Sequence, residues 1–494
     1  VVAGYFIAGA VIRRKLDAAL QGLPASMSIH YGSLHTNIFT GSLDMREVEA
    51  SYMPSPKHAH RVSVDDLTIS GFSLFGWLRS HKVRIDGIRA TGVTVDIDVD
   101  LLEKDSAWKQ LKPPAMDLLV DRINVDSIRV EGRRKDKREF SLEANLRLDS
   151  VTRDTVGEVY FLASRASYVI PGMDETVYLR RLEADSKKEL VTLDSVAVRP
   201  NLEEEKMGRL KGHQVDVFTA AARGIEVTGI EMSALAQHRF QAAEISLHSS
   251  RIHVFRDRRL PLEPGDKAMP VEGLESMPVD LRVGKVRLGA TRFEYEEFPK
   301  VGDKTGMLVI KDFRATIEPL INKPRQGDPA FITMTTEGSL MGSGSVTATT
   351  RMPFHKSAFY EVSGAFHDLD VTRLNNPAEN LGQLHLESGM LNSLAFQFEM
   401  GEERSTGKIV GEYHDLVVDK LKLKGGDLKT DKLKSFALKK FIIPKDKDKS
   451  LAVSKRTGKV NYKRDRQRYF SYYLLHSLLV GVKSSFSLGF LLPG

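Results

Sequence analysis

One apolar spacing recurs along this chain and leaves few folds open to it. Val64, Leu67, Ile69, Phe72 and Leu74 stand at i, i+3, i+5, i+8 and i+10. Ile85, Ile88, Ala90, Val93 and Val95 repeat those offsets, as do Val120, Ile123, Val125, Ile128 and Val130, and Ala222, Ile225, Val227, Ile230 and Met232. Leu433, Phe436, Leu438, Phe441 and Ile443 do so once more, and half-units stand at Met45/Val48/Ala50, Leu193/Val196/Val198, Val283/Val286/Leu288 and Ile310/Phe313/Ala315. An internal repeat of this kind governs the reading of everything else.

On a helix the i+5 residue lies about 140° from residue i, so these positions form no single apolar stripe. Steps of two are strand alternation, with apolar side chains on one face. Steps of three insert one residue, as a β-bulge or tight turn does, and return the next apolar residue to the same face. The inserted positions carry turn chemistry: Asp65–Asp66, Ser70–Gly71, Asp86–Gly87, Thr91–Gly92 and Asp126–Ser127. A leucine-rich solenoid shares the opening offsets but needs Asn or Cys near the ninth position and a steady period. Here that position is Phe72, Val93, Ile128, Ile230 or Phe441, and the units recur irregularly. The spacing therefore predicts a mainly β chain, a twisted, elongated, trough-like sheet that is apolar on one face and charged on the other.

Val156–Val169, Ala330–Thr350 and Leu384–Met400 also read as strand, and helix is expected only at Leu101–Lys112, in a turn at Phe75–Arg79 and from about Arg466 onward. The segment Leu260–Pro278, with four prolines and two glycines, reads as a long loop and an internal boundary. The Lys/Asp run Lys445–Lys449 reads as an exposed loop. The expected division is 1–20, 21–262, 263–465 and 466–494. Val1–Ile12 is an apolar run closed by Arg13, Arg14 and Lys15. It is too short to span a bilayer alone and is expected to be the end of a membrane anchor, the alternatives being a buried helix or a signal-sequence remnant. The three cations run against the positive-inside tendency if they lie on the exported side.

At 494 residues the chain exceeds one compact core. Its net charge of +7 is spread along the length, denser only in the last quarter, which reads as solvated surface and argues against a nucleic-acid partner. The absence of cysteine excludes disulfides, zinc–thiolate sites and thiol catalysis. No catalytic residue, metal site or cofactor is expected. His58/His60 and His248/His253 lack the helical i, i+4 spacing and carboxylate of a zinc site. Gly342–Ser345 has neither the lysine nor the following helix of a phosphate loop. Glu294, Glu296 and Glu297 with Asp257 read as the solvated face and end of a strand, the other reading being a cation site. In the tail, Arg464, Arg466 and Arg468 precede Tyr469, Phe470, Tyr472 and Tyr473 at the head of an apolar helix. That pattern suits a membrane interface, and equally a helix that caps the end of the sheet.

The order of these motifs resembles the AsmA-like superfamily, the AsmA and TamB relatives, over nearly the whole chain. Ser28–Leu34 with Gly41–Leu43 is similar to its first strand pair, and Val62–Trp77 followed by Lys82–Asp98 to its repeat. Phe255–Pro261 with Phe293–Glu297, and Gly458–Asp465 with Phe470–Gly481, resemble motifs of its larger members. The resemblance implies a periplasmic protein of a Gram-negative cell, anchored to the inner membrane through its N-terminal helix. It implies a non-enzymatic, bridge-like lipid transfer protein whose apolar groove moves phospholipid between inner and outer membranes. The alternative is a scaffold for outer-membrane protein assembly. Phospholipid is the implied partner, with an envelope protein or self-association possible. The residues expected to line the groove are Val64, Leu67, Ile69, Ile85, Ile88, Val93, Val95, Val120, Ile123, Val125, Ile128, Val227, Ile230, Val283, Val286 and Leu288.

Overall fold

A computed structural model describes residues 13–14, 16–18, 20–37, 40–55, 57–72, 82–104, 117–152, 154–235, 237–355, 358–424, 427–430 and 454–485. Strand accounts for 65% and helix for 14%, so the chain is mainly β. The apolar run 1–12, the turn 75–79, the repeat at 433–443 and the run 445–449 lie outside the described residues. Among the described residues no helix is long and apolar enough to cross a membrane.

The chain divides into two compact units, 1–196 and 197–494. The boundary falls within a strand, Leu190–Pro200, and not in the loop 260–278. That loop is tied into the second unit, Lys267 N donating to Arg466 O and Gln214 N to Pro261 O, and it contains a short helix, Pro270–Glu275.

In unit 1, β3 (Ser42–Ser55) pairs along one edge with β1 (Met27–His30) and β2 (Ser33–Asn37), and along the other with β4 (His58–Ser70). β4 pairs antiparallel with β5 (Lys82–Asp98), and β5 pairs parallel with β6 (Asp117–Arg134). The parallel pair requires a crossover, which begins with α1 (Val99–Lys104). Antiparallel hairpins then add β7 (Lys137–Thr152), β8 (Val156–Ile170) and β9 (Glu175–Asp185). β10 (Leu190–Pro200) carries the boundary.

The repeat explains this pairing. Its steps of three, two and three read the same in both directions, so a strand built on it matches a neighbour in either orientation. β4 meets β5 antiparallel as Val64↔Val93, Leu67↔Ala90 and Ile69↔Ile88. β5 meets β6 parallel as Ile85↔Val120, Ile88↔Ile123, Ala90↔Val125 and Val95↔Val130. Three of the expected turn dipeptides place a residue in the left-handed region: Gly71 at φ 74°, Gly92 at 63° and Ser127 at 57°. At Gly92 a Cβ would stand 1.9 Å from Asp65 Oδ2, so the close approach as well as the backbone angle calls for glycine.

Unit 2 repeats the arrangement. β11 (Asp216–Thr228) is antiparallel to β12 (Arg239–Asp257), which runs parallel to β13 (Asp280–Phe298). β13 pairs with β14 (Gly306–Glu318) and β15 (Leu320–Ile321). Antiparallel neighbours continue through β16 (Phe331–Leu340), β17 (Gly344–Pro353), β18 (Tyr360–Asp370), β19 (Leu384–Met400) and β20 (Arg404–Lys424). β20 pairs with both β21 (Asp427–Thr430) and β22 (Ser454–Lys463). The helices are α2 (Glu204–Lys211), α3 (Met232–Leu235), α4 (Pro270–Glu275), α5 (Asn375–Gly382) and α6 (Phe470–Ser485). Gly342–Ser345 belongs to the hairpin between β16 and β17, where Leu340 pairs with Gly344.

Candidate functional site

The register turns single strands into apolar rows that cross each unit. In unit 1 one row runs Leu43, Ile69, Ile88, Ile123, Leu148 and Val159 from β3 to β8. A second runs Met45, Leu67, Ala90, Val125, Leu146, Phe161 and Ala184 from β3 to β9. Directly paired residues project to the same side, so these rows form one face. Ile85 and Val120 lie deepest in it, packed by Ile69, Ile88, Ile123 and Val151. Val64, Val95 and Ile128 join it through Val64↔Val93, Val62↔Val95 and Ile128↔Ala144.

Most of that face is half-buried: the first row contains no fully buried residue. α1 buries Val99 and Leu101 at one end of β4–β6. Besides α1 and helical residues between 13 and 21, no helix belongs to unit 1 among the described residues. The opposite face is charged. Arg84 bonds Asp121 at 2.7 Å, Arg122 bonds Asp149 at 2.7 Å and Arg165 approaches Glu143 at 3.2 Å. Such exposed pairs are screened by solvent and add little to stability.

Unit 2 treats its apolar face differently. Leu288, Ala315, Thr336, Ala348, Gly364, Phe396, Ile409 and Gly458 form a row from β13 to β22. α6 lies across its end. Tyr473, Ser477, Gly481 and Ser485, four residues apart, are all buried. Tyr473 Oη donates to Gly401 O at 3.1 Å, Ser477 Oγ and Ser405 Oγ are 2.7 Å apart, and Lys459 N donates to Ser484 Oγ at 3.0 Å. The leading residues of the same segment reach the first strands. Arg468 donates to Gln214 Oε1 at 3.1 Å, and the Arg256 guanidinium lies 5.8 Å from the Tyr469 ring centre. α6 itself packs on the last strands, β20 and β22, and covers a core that includes Ile332, Val362, Phe396, Phe398 and Met400, while the two residues before it reach Gln214 and Arg256.

The expected groove residues of unit 2 lie outside the core beneath α6, yet most of them are buried. Val227, Ile230, Val283 and Val286 are buried, and Leu288 is half-buried. The tail residues divide. Tyr473 is inaccessible, Arg464 is buried against Glu402 at 2.9 Å, and Arg468 is buried against Gln214. Arg466 and Tyr469 are exposed, while Phe470 and Tyr472 are half-buried, Phe470 lying 5.4 Å from Tyr360. Among the described tail residues, a membrane contact is left chiefly to Arg466, Tyr469 and the exposed Leu475 and Leu479.

The acidic cluster is not the solvated strand face that its sequence suggests. Glu294, Glu297 and Asp257 are buried, each against arginine: Arg251 and Arg292, Arg258, and Arg259 respectively. Glu296 bonds His253 and Thr305. The reason is positional. Asp216↔Arg256↔Glu297 is the row that ends the apolar face, and α6 begins beside it. The pairs Asp216–Arg256 and Arg258–Glu297 join residues 40 and 39 positions apart, which no local pattern in the sequence announces, and His476 stacks on Tyr472 within the tail itself. His58 and His60 are both engaged with Asp98, through its carboxylate at 2.7 Å and its backbone N–H at 3.2 Å. Among the described residues no group of three His, Asp or Glu is arranged to hold a metal.

Burial, with the charges of Lys483, Arg258 and Arg468, pushes the His476 imidazole down to about 4. It is neutral in the folded chain, while the unfolded chain takes up a proton near 6.5. The unfolded state binds more protons between those values, so stability falls as pH drops through that window. Chemical denaturation from pH 7 to pH 4 should show a progressive loss that His476→Gln removes. An identical pH profile in the variant would assign the loss to other groups.

Compared with known proteins, the chain matches no family model and no curated protein. The AsmA-like resemblance accordingly rests on the order of its motifs.

Proposed function

We propose that the apolar face of unit 1 holds the acyl chains of phospholipid, and that the protein carries or conducts lipid without chemical transformation. The observation behind this reading is the set of half-exposed apolar rows spanning β3–β9. A sheet apolar on one face must bury that face against something. Each methylene it takes from water contributes about 0.8 kcal/mol, so a two-tailed lipid is held firmly. Backbone hydrogen bonds are satisfied strand to strand, which leaves the face without polar demands of its own. The setting of this proposal, the periplasm and the inner membrane of a Gram-negative bacterium, comes from the AsmA-like resemblance alone.

A photo-crosslinking amino acid at Ile88 or Val125 should capture phospholipid in cells, and one at the exposed Arg129 should not. Val125→Asp puts an unpaired charge on the apolar face and should abolish capture at Ile88 while the protein remains folded. Equal labelling from Val125 and Arg129 would reduce the interaction to adhesion and remove the proposal.

A further inference from the structure

We propose that the outer face of β20 and β22 is a docking surface for a bilayer that carries anionic headgroups. On these strands Ser405, Ile409, Gly458 and Val460 turn inward beneath α6 and are buried. Arg404, Thr406 and Lys408 alternate with them, as do Lys459, Asn461 and Lys463, and all six are exposed. The register sets Arg404 directly opposite Lys463 and Lys408 directly opposite Lys459. Paired positions bring their Cβ atoms to within about 5.5 Å, where like charges repel. About 14 Å of strand separates the two pairs, with Thr406 opposite Asn461 between them.

Among the described residues none of these four cations has an ion-pair partner. Elsewhere like-charged neighbours share a counterion: Arg133 and Arg138 flank Glu131, and Arg251 and Arg292 flank Glu294. The nearest carboxylates here are Glu399, opposite Thr406, and Glu403 in the turn before Arg404, and neither bridges a pair. Glu412 lies further along β20, opposite Lys455. Lysine on an edge strand guards against chance strand pairing, which accounts for Lys459 and Lys463. It does not account for Arg404 and Lys408, because β20 has a neighbour on each side.

The chemistry of the face selects the partner. No aromatic side chain stands between the cations for a nucleotide base to stack on. A protein interface has an apolar core within a polar rim, and here cations hold the middle. Phe359, 51% exposed, lies against Gly401, whose N–H donates to Arg404 O. An exposed aromatic at the margin of unpaired cations fits headgroups lying above acyl chains. This surface belongs to unit 2 and does not depend on the acyl-chain reading of unit 1.

The test is flotation of the full chain with phosphatidylcholine vesicles, with and without about one-quarter phosphatidylglycerol. Binding should require phosphatidylglycerol and fall away toward about 0.5 M salt. It should weaken about fivefold for each charge removed, and so about 25-fold in Lys408→Gln/Lys459→Gln. Arg314→Gln/Arg351→Gln removes the same charge from exposed cations that already hold carboxylates, and should change binding by less than about twofold. Lys408→Glu should bind more weakly than Lys408→Gln yet be more stable, since it faces Lys459; a residue that only supported the fold would not separate the two effects. Equal weakening in the Arg314/Arg351 control would reduce the effect to net charge. Equal binding to pure phosphatidylcholine would reduce it to apolar adhesion, and tighter binding of a polyglutamate peptide or a short RNA would assign the face to another polyanion. Each of these outcomes overturns the proposal. Val125→Asp should leave vesicle binding intact, so lost lipid capture at Ile88 and lost vesicle binding at Lys408 report on separate readings.

Discussion

Replacing Gly458 with alanine should lift α6 from the last strands and cost unit 2 about 3 kcal/mol. A Cβ there would stand 2.0 Å from Gly481 O and 2.6 Å from Ser485 N. Both are backbone atoms, so no side-chain rotation relieves the clash. Helix and strand must separate, which withdraws Tyr473 from the core it fills. Gly273→Ala is the control, because that glycine has nothing within 4 Å of its Cβ direction and sits inside α4. There the exchange should be neutral or stabilising by about 0.5–1 kcal/mol. Denaturation followed by near-ultraviolet circular dichroism would compare the two. Equal stability of the two variants would mean that α6 does not lie against β22 as described.

The second large effect is expected at the charged row. Asp216→Ala should destabilise unit 2 by about 3–5 kcal/mol, since it strands a buried arginine. Arg256 is 6% exposed and bonds both Asp216 oxygens at 2.6 Å. Adding Arg256→Met should recover most of the loss, because a buried pair replaced by apolar groups is often neutral or better. A double variant as unstable as Asp216→Ala would show that the two residues are not coupled and that the loss has another source. Neither substitution touches unit 1, so capture of lipid at Ile88 should survive both.

The segment leading into α6 has a pattern that two arrangements satisfy. Aromatic residues beside cations, followed by an apolar helix, satisfy a membrane interface and a buried cap alike. What separates the readings is the stripe Tyr473, Ser477, Gly481 and Ser485, in which one buried tyrosine is followed by three small residues that let a helix approach a sheet closely. That stripe is visible in the sequence, but its meaning depends on Gly458 standing opposite, and the strand carrying Gly458 lies outside the helix. The charged row is similar. Arg256 and Arg258 sit in a run of four charged residues, Arg256–Arg259, which resembles an exposed segment. Burial comes from Asp216, Glu297 and α6, brought in by pairing that no local pattern announces.

The sequence by itself determined the strands, their faces and the sites of their bulges. Steps of two and three between apolar residues allow one solution when every apolar side chain must reach the same side, and Gly92 and Ser127 supply the backbone angles that solution needs. Only the tertiary structure decided orientation and cover. Because the spacing reads the same forwards and backwards, it matches parallel and antiparallel neighbours equally. The crossover after β5 made β6 parallel, and the hairpins after β6 made the rest of unit 1 antiparallel. The apolar faces of the two units then met different surroundings: α6 returned across the last strands of unit 2, while the face of unit 1 remained half-open. Periodicity is a property of neighbouring residues, and cover depends on segments far along the chain.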